Sequence, residues 1–194
     1  LFYYRVGRRH KVSLLHFNNG FLHIPWLLAA KMLHIPCVSH LRGFLEVNSS
    51  TIFLARLVHH HVAISFAVRD NLLEMAVPQN KISVVHDAID LEEFNMDIDY
   101  SYLLKEFDLT HEVPTYGIFG RIVEWKGIHQ FIKEDKMISD EIPEAIGFIV
   151  GDQSDGHDSF FLEMKKMTND LGLKSKIHFT GFREDIPALM ALMK

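Results

Sequence analysis

Cysteine and long apolar runs are the scarcest features of this sequence. Cys37 is the single cysteine among 194 residues, which excludes an internal disulfide and favours a reducing compartment. The longest apolar stretches, such as residues 24–30, are well short of the roughly 20 residues that a helix needs to cross a bilayer. We therefore expect no membrane-spanning helix and a location in the cytoplasm.

An excess of positive charge is also absent. The chain has 20 Lys and Arg against 25 Asp and Glu, which gives a net charge of −5 with neutral histidines. Binding to a phosphate backbone requires the opposite balance, so we expect no nucleic-acid partner. Solenoid repeats and low-complexity tracts are missing too, and a hydrophobic content of 48% is ordinary for a globular protein.

The sequence does contain a regular alternation of short apolar runs with segments of helical period. This alternation is typical of a parallel sheet with crossover helices, so the predicted fold class is α/β. It lapses into an acidic segment at residues 91–113, which we interpret as part of the crossing between two domains. The predicted domains are 1–95 and 113–194, joined by a crossing at 96–112. The predicted strands are 12–16, 37–40, 61–65, 82–85, 115–119, 145–150 and 176–180.

The segment with the clearest chemistry runs from Tyr116 to Gly127, over the end of the fifth predicted strand. Gly120 lets a ligand come close to the backbone. Arg121 and Lys126 are five residues apart and can bracket phosphate oxygens. A helix predicted to begin at Gly127 adds free N–H groups and the positive end of its dipole. These features predict a diphosphate site, although a solvated surface loop explains a motif this short equally well.

This loop resembles the Gly-Arg…Lys-Gly signature of the retaining GT-B glycosyltransferases of group 1 or family 4. Five further segments are similar to that family in order and spacing, so the resemblance covers almost the whole chain. It implies two Rossmann-like halves of a GT-B fold, both incomplete, and the chain is expected to be an internal fragment. The five segments are IPCVSHLRG at 35–43, AISFAVRDNL at 63–72, KISVVHDAIDLEEF at 81–94, FIVGD at 148–152 and HFTGFREDIP at 178–187.

The resemblance implies a role for each matching residue. Arg121 and Lys126 would hold the donor diphosphate and stabilise charge on the leaving group. His40 and Arg42 would lie near the transferred sugar or its phosphate. The residues implied in binding the nucleotide sugar are Gly43, Gly120, Gly151, Gly181, Phe182 and Arg183.

The resemblance also implies the substrates. The donor would be a nucleotide sugar and the acceptor a glycan or a lipid-linked glycan, with the sugar transferred with retention of configuration. No cofactor and no metal are expected. Peripheral membrane contact, and a location at the inner membrane face, are left open.

The sequence departs from the family's pattern in several places. The family commonly has a histidine directly before the glycine of the acceptor-side loop, whereas here Arg42 precedes Gly43 and the nearest histidine is His40. Which of these two residues touches the sugar stays open. Asp87 and Ala88 replace the usual Asn-Gly at the crossing. The family's glycine-rich first loop and its paired glutamates are expected outside residues 1–194, so this chain alone is expected to be inactive.

Two other functions stay open: another GT-B enzyme, such as a sugar-nucleotide epimerase or a phosphorylase, and a non-catalytic nucleotide-binding module.

Metal binding is disfavoured at three segments whose residue types could suggest it. The adjacent histidines at 59–61 should point in diverging directions. Asp97 and Asp99 lie in the acidic crossing rather than after a strand. The loop 152–158 lacks the twelfth-position glutamate of a calcium loop.

Overall fold

The computed structural model describes residues 1–95, 97–153 and 158–193. The chain divides into two compact units, Leu1–Ala88 and Ile89–Lys194, here called unit 1 and unit 2. Unit 2 includes the acidic segment that the sequence analysis assigned to the crossing. Within the described residues, no helix combines the length and the apolar character needed to cross a membrane.

Unit 1 is a parallel sheet of four strands in the order β1-β2-β3-β4, with helices along the chain between them. Its buried core includes Phe21, Leu27, Leu41, Leu72 and Met75. The elements are α1 Phe2–Arg9, β1 Leu15–Asn18, α2 Ile24–Leu33, β2 Cys37–Leu41, α3 Ser49–Leu57, β3 His60–Ala63, α4 Phe66–Glu74 and β4 Ile82–Val84.

Local sequence explains where the helices of unit 1 begin. Asn48 caps α3 by accepting from the backbone N–H groups of Ser50 and Thr51, and the Thr51 hydroxyl accepts from the Asn48 N–H in return. Ser65 caps α4 by accepting from the N–H of Val68. The Ser65 cap starts α4 two residues after the end of β3, where the crossover must turn, whereas the Asn48 cap lies seven residues after the end of β2.

Unit 2 contains a three-stranded parallel sheet in the order β5-β6-β7. The central strand β6 is buried along its whole length, as a parallel strand covered on both faces should be. In the described residues the elements are α5 Ser101–Glu106, β5 Thr115–Phe119, α6 Ile128–Glu141, β6 Ile146–Val150, α7 Asp158–Asp170, β7 Ile177–Gly181 and α8 Ile186–Leu192.

Alternate residues of β6 belong to two different hydrophobic clusters. Phe148 and Val150 pack in a cluster that includes residues of α5 and α8. Ile149 packs in the other cluster, which includes Ile132 of α6 and Met164 of α7. Successive side chains of a strand point to opposite faces, so helices cover both faces of this sheet. The predicted α/β class with two Rossmann-like halves is therefore confirmed.

The start of the chain differs from the prediction. Helix α1, Phe2–Arg9, lies where the sequence pattern predicted no element. Val12 was expected in the first strand, but its N–H donates to the carbonyl of Gly7 and so closes the end of this helix. Lys11 adopts a left-handed conformation with φ of 49° at the same turn. The first strand consequently begins three residues later, at Leu15.

Candidate functional site

Three glycines form the carboxyl edge of the sheet in unit 2. Gly120, Gly151 and Gly181 end β5, β6 and β7 or follow them directly, with φ of 147°, 137° and 69°. The Gly120 N–H donates to the Val150 carbonyl at 2.9 Å, and the Gly151 N–H donates to the Gly181 carbonyl at 3.0 Å. Backbone hydrogen bonds thus join all three strand ends into one edge without side chains.

Gly151 is the position where only glycine fits. A Cβ atom built there would overlap the Gly120 carbonyl oxygen and lie 2.8 Å from its carbonyl carbon. A Cβ at Gly181 would meet open space, so that position is constrained by its left-handed backbone alone. The three predicted binding glycines of unit 2 therefore lie together. The need for glycine has a different physical cause at Gly151 than at Gly181.

The loop after β5 places both predicted cations at this edge. The stem of Lys126 passes over Gly120, since a Cβ there would lie 3.8 Å from the Lys126 Cδ and Cε atoms. Lys126 ends a short 3₁₀ turn, and Gly127 caps α6 in a left-handed conformation with φ of 74°. Because the cap residue has no side chain, no cap hydrogen bond takes up the backbone N–H groups in the first turn of α6. The helix predicted to begin at Gly127 is found within one residue.

Arg121 lies on the exposed side of the same loop. Its guanidinium carbon is 5.8 Å from the centre of the Trp125 ring, a cation–π contact that restrains the side chain. The Ile122 N–H donates to the Asp152 carbonyl, which ties the loop to the segment after β6. Arg121 and Lys126 therefore lie on one loop at this edge of the sheet, and hydrogen bonds to the neighbouring strand hold the backbone of that loop.

Phe182 and Arg183 follow Gly181 but face different surroundings. The Phe182 side chain is 73% exposed and can offer a flat ring to a ligand. The Arg183 guanidinium instead binds two carboxylates, Glu106 of α5 at 2.6 Å and Asp185 at 2.8 Å. The Tyr102 hydroxyl of α5 also donates to Asp185, at 2.6 Å.

This network shifts the ionisation of its members in the direction expected of paired groups. Hydrogen bonds from Arg183 lower the pKa of Asp185 to about 2, and its two carboxylate partners raise the pKa of Arg183 above its ordinary value. Burial and the bond to Asp185 raise the pKa of Tyr102 to about 12. Arg183 and Asp185 thus stay charged at neutral pH, and the contacts of this network with Glu106 and Tyr102 hold α5 against the turn after β7.

Replacing Arg183 by Gln should lower the free energy of unfolding of unit 2 by about 2 kcal/mol, because Glu106 and Asp185 would lose their shared cation. Urea titration measures the loss. Lys105→Gln, on the same helix as Glu106, is the matched control and should change the free energy of unfolding by less than about 0.5 kcal/mol. Unchanged stability together with weaker nucleotide binding would instead place the guanidinium of Arg183 on the ligand.

The acceptor-side residues lie at the corresponding edge of unit 1. His40 is half-buried on β2, its ring stacks on that of His16 with centroids 6.4 Å apart, and its buried Nε2 atom has no partner among the described residues. Arg42 and Gly43 follow β2 and are exposed. A Cβ at Gly43 would meet open space, so packing within unit 1 does not demand glycine there.

One feature of this edge was missed by the sequence analysis. A pocket of about 440 Å³ lies after β1 and is lined in part by His16, Asn18, Asn19 and Leu45. Asn19 is left-handed with φ of 64°, and its N–H donates to the His40 carbonyl at 2.8 Å. An Asn-Asn-Gly sequence at 18–20, two residues after the end of the first predicted strand, was the signal for this turn.

The adjacent histidines at 59–61 each have a protein partner. The Cys37 N–H donates to Nδ1 of His59 at 3.0 Å, and Nε2 of His60 lies 2.9 Å from the Ser83 hydroxyl. His61 is fully buried, with Nδ1 at 2.9 Å from the Ser39 hydroxyl and Nε2 at 3.1 Å from the Ala55 carbonyl. Burial lowers its pKa to about 4, so it is neutral.

Metal ligands are not brought together in the described part of the chain, where no group of three or more His, Cys, Asp or Glu could hold an ion. Asp99 accepts from the Ser101 N–H and acts as a turn residue before α5. The middle of the loop 152–158, weighed as a calcium loop, falls outside the described residues.

Unit 2 also has a pocket, of about 520 Å³, which lies between α6 and α7. Glu124, His129, Lys133 and Glu163 are among its lining residues. It is lined by neither of the two loop cations and by none of the three strand-end glycines. We therefore place the candidate nucleotide site at the glycine edge, where positive charge and accessible backbone coincide.

Known proteins resemble this chain on both units. An Escherichia coli UDP-Gal:alpha-D-GlcNAc-diphosphoundecaprenol alpha-1,3-galactosyltransferase is 25% identical, with 96% of this chain and 51% of that protein covered. A trehalose synthase of Thermococcus litoralis is 27% identical over 66% of this chain and 33% of its own length. The chain thus spans about half the length, or less, of these curated relatives.

Two solved structures also match. Anabaena HepE in complex with UDP and glucose has a TM-score of 0.81 and 25% identity, over 97% of this chain and 52% of that one. A glycosyltransferase from Rickettsia africae has a TM-score of 0.82 at 20% identity, over 98% of this chain and 52% of that one.

Family models cover the two units separately. Residues 2–93 match Glycosyltransferase Family 4, and residues 104–194 match Glycosyl transferases group 1. The order of the two matches is the order of the two sheets described above. Each unit thus resembles a glycosyltransferase family, and the fold of the chain is that of the GT-B glycosyltransferases.

Proposed function

We propose that the protein containing this chain transfers a sugar from a nucleotide-sugar donor to a glycan or lipid-linked acceptor, with retention of configuration. The E. coli relative takes its sugar from UDP-Gal, and the HepE structure holds UDP and glucose. A uridine nucleotide is therefore the first donor to test. No cofactor is required by this proposal, since the nucleotide sugar is itself the activated substrate.

The observation that carries the proposal is the glycine edge of unit 2. Gly120, Gly151 and Gly181 leave the ends of three neighbouring strands bare of side chains, so a phosphate chain can approach the backbone there. Lys126 lies over the first of these glycines, and the uncapped first turn of α6 follows it directly. A diphosphate is the ligand that suits a bare edge, a cation and a helix N-terminus together.

Each loop cation has a distinct part in the proposed reaction. Lys126 would neutralise charge that builds on the diphosphate as the bond to the sugar breaks, and Arg121 would bind the same group in a forked geometry. Phe182 would stack on the base, while Arg183 would hold the turn that presents this ring. His40, Arg42 and Gly43 remain candidates for the sugar, and His40 has an unused ring nitrogen for that purpose.

Calorimetric titration of the full-length protein with UDP tests the site. Arg121→Ala and Lys126→Ala should each weaken binding roughly tenfold to a hundredfold, because each removes a charged hydrogen bond to phosphate. Lys133→Ala is the matched control, since it removes an exposed cation further along α6, and it should leave the affinity unchanged. Wild-type affinity in both loop variants would refute the site assignment.

Product analysis separates this proposal from the other GT-B activities. Incubating the full-length protein with labelled UDP-sugar and a lipid-linked acceptor should move the label to the acceptor, with the anomeric configuration of the donor preserved. Interconversion of the nucleotide sugar without transfer would favour an epimerase, and release dependent on inorganic phosphate would favour a phosphorylase. Nucleotide binding without turnover under these conditions would favour a non-catalytic module.

A further inference from the structure

A pocket of about 390 Å³ opens at the amino edge of the sheet in unit 1, and we call it the amino-edge pocket. It lies where α2 and α3 end and β2 begins, since Lys31 of α2, Arg56 of α3 and Cys37 of β2 are among its lining residues. Arg42, a candidate for binding the sugar, follows the opposite end of β2. The five residues of this strand span about 16 Å, so the amino-edge pocket is separate from the site at the carboxyl edge.

The inner wall of the amino-edge pocket is apolar. Leu27, Ala30, Ile35 and Cys37 line it, are between 0% and 6% exposed, and belong to the hydrophobic core of unit 1. Their positions are therefore fixed by the packing of α2 against the sheet. A pocket of this size, with a fixed apolar wall and a few polar groups, has the character of a site for a small molecule.

The mouth of the amino-edge pocket is basic. Lys31, His34, Arg56 and His59 contribute to the lining and are exposed, and the described lining contains no Asp or Glu. In the part of the chain that the structure describes, no carboxylate forms an ion pair with Lys31 or Arg56. Two permanent positive charges at the mouth are therefore available to a ligand.

The hydrogen-bonding groups at this mouth are donors. The Cys37 N–H donates to Nδ1 of His59 at 3.0 Å, so the proton of the neutral ring is on Nε2 and can be donated to a ligand. Lys31 and Arg56 can only donate. A ligand that satisfies these three side chains must therefore supply acceptors, and the two charges favour an anion.

The ends of the two helices would by themselves favour cations, because a helix C-terminus carries partial negative charge. Lys31 and Arg56 are each in the last turn of a helix and offset that charge. At the end of α2, however, the carbonyls of Ala30 and Lys31 already accept from the N–H groups of Ile35 and His34. These two carbonyls are thus satisfied within the turn and do not need the cations as partners.

We propose that the amino-edge pocket binds a small, soluble phosphate monoester with an apolar body. The three terminal oxygens of the phosphate match the three donors Lys31, Arg56 and His59, and Arg56 can bind two of these oxygens in its forked geometry. The apolar body would lie against the inner wall. Inorganic phosphate would leave that wall without a contact, and a neutral apolar compound would leave the two cations unpaired. The proposal does not rest on the proposed sugar transfer.

Calorimetric titration of the full-length protein with phenyl phosphate tests the amino-edge pocket. UDP is present in excess, so that phenyl phosphate does not compete for the proposed nucleotide site. Phenyl phosphate should bind roughly tenfold more tightly than inorganic phosphate, because its ring is removed from water, and phenol should not bind measurably. Lys31→Gln and Arg56→Gln should each weaken the binding of phenyl phosphate roughly tenfold, because each removes a charged hydrogen bond.

The matched control is Arg9→Gln, which removes an exposed arginine from the last turn of α1 without altering the lining of the pocket. Its affinity for phenyl phosphate should equal that of the wild type. The ring nitrogen resonances of His59 should shift when phenyl phosphate is added and should not shift with UDP, which distinguishes this pocket from the nucleotide site whether or not UDP binds.

Three results would overturn the proposal. Unchanged affinity in both Lys31→Gln and Arg56→Gln would place phenyl phosphate elsewhere. No binding of phenyl phosphate would also overturn it, and a lower melting temperature of both variants would then assign the two cations to the helix ends alone. Vesicles containing phosphatidic acid that bind through Arg56, when phenyl phosphate does not, would assign the cations to a lipid headgroup. Because the titration involves no sugar transfer, its outcome is independent of the enzyme assay.

Discussion

Replacing Gly151 by Ala should lower the free energy of unfolding of unit 2 by roughly 4 kcal/mol. The new methyl group would overlap the Gly120 carbonyl oxygen, and φ of 137° is a conformation that L-residues rarely adopt. The overlap involves backbone on both sides, so rotation of a side chain cannot relieve it. Either the ends of β5 and β6 separate or the segment after β6 changes course, and both changes disturb the proposed diphosphate site.

Urea unfolding of the full-length protein, combined with amide hydrogen exchange of the β5–β7 peptides, measures this effect in unit 2 alone. Gly172→Ala is the matched control, because its φ of 73° is also left-handed but a methyl group there would meet open space. That variant should lose only about 1–2 kcal/mol. Equal losses of unfolding free energy in the two variants would show that the close approach of Gly151 to the Gly120 carbonyl does not contribute to the effect of Gly151→Ala.

Acidification should destabilise unit 1 through His61. The folded state keeps this buried ring neutral down to a pKa of about 4, whereas in the unfolded chain the ring takes up a proton near its ordinary pKa of 6.5. Its contribution to stability is therefore complete above pH 6.5 and is lost as the pH falls toward 4. The total is about 3 kcal/mol, of which about 2 kcal/mol should be gone at about pH 5.

Urea titrations at about pH 7 and about pH 5 compare the wild type with His61→Gln, which cannot titrate but retains an amide for Ser39 or Ala55. The variant should be less stable than the wild type at the higher pH, and the difference should shrink by about 2 kcal/mol at the lower one. His60→Gln is the control, because His60 lies on the same strand but is half-buried, with Nε2 at 2.9 Å from the Ser83 hydroxyl. A constant difference between wild type and His61→Gln would contradict the prediction.

The predictions from sequence succeeded where the pattern is local and strongly periodic. The strand Thr115–Phe119 was predicted at its observed bounds, and the start of the helix after Gly127 was predicted within one residue. Both depend on glycines and apolar spacing that act within a few residues. Helix α1 was missed because Gly7 interrupts it and no side chain caps its start. Its formation depends on contact with α2, which the sequence does not reveal.

Arg183, at the candidate site, also makes contacts that the sequence does not reveal. Its place after a glycine at a strand end suggested a ligand contact, yet its two carboxylate partners include Glu106, which lies 77 positions away in sequence. Recognising this contact requires knowing which distant residues become neighbours in the fold.

The amino-acid sequence by itself determined the α/β class, the order of the strands along the chain and the glycine-and-cation loop after β5, because each follows from the periodicity or conformational freedom of neighbouring residues. Only the tertiary structure decided that three glycines form one hydrogen-bonded edge, that Gly151 admits no side chain and that Arg183 fastens α5. Those properties arise from atoms that become neighbours only when parallel strands align, and no local pattern specifies that alignment.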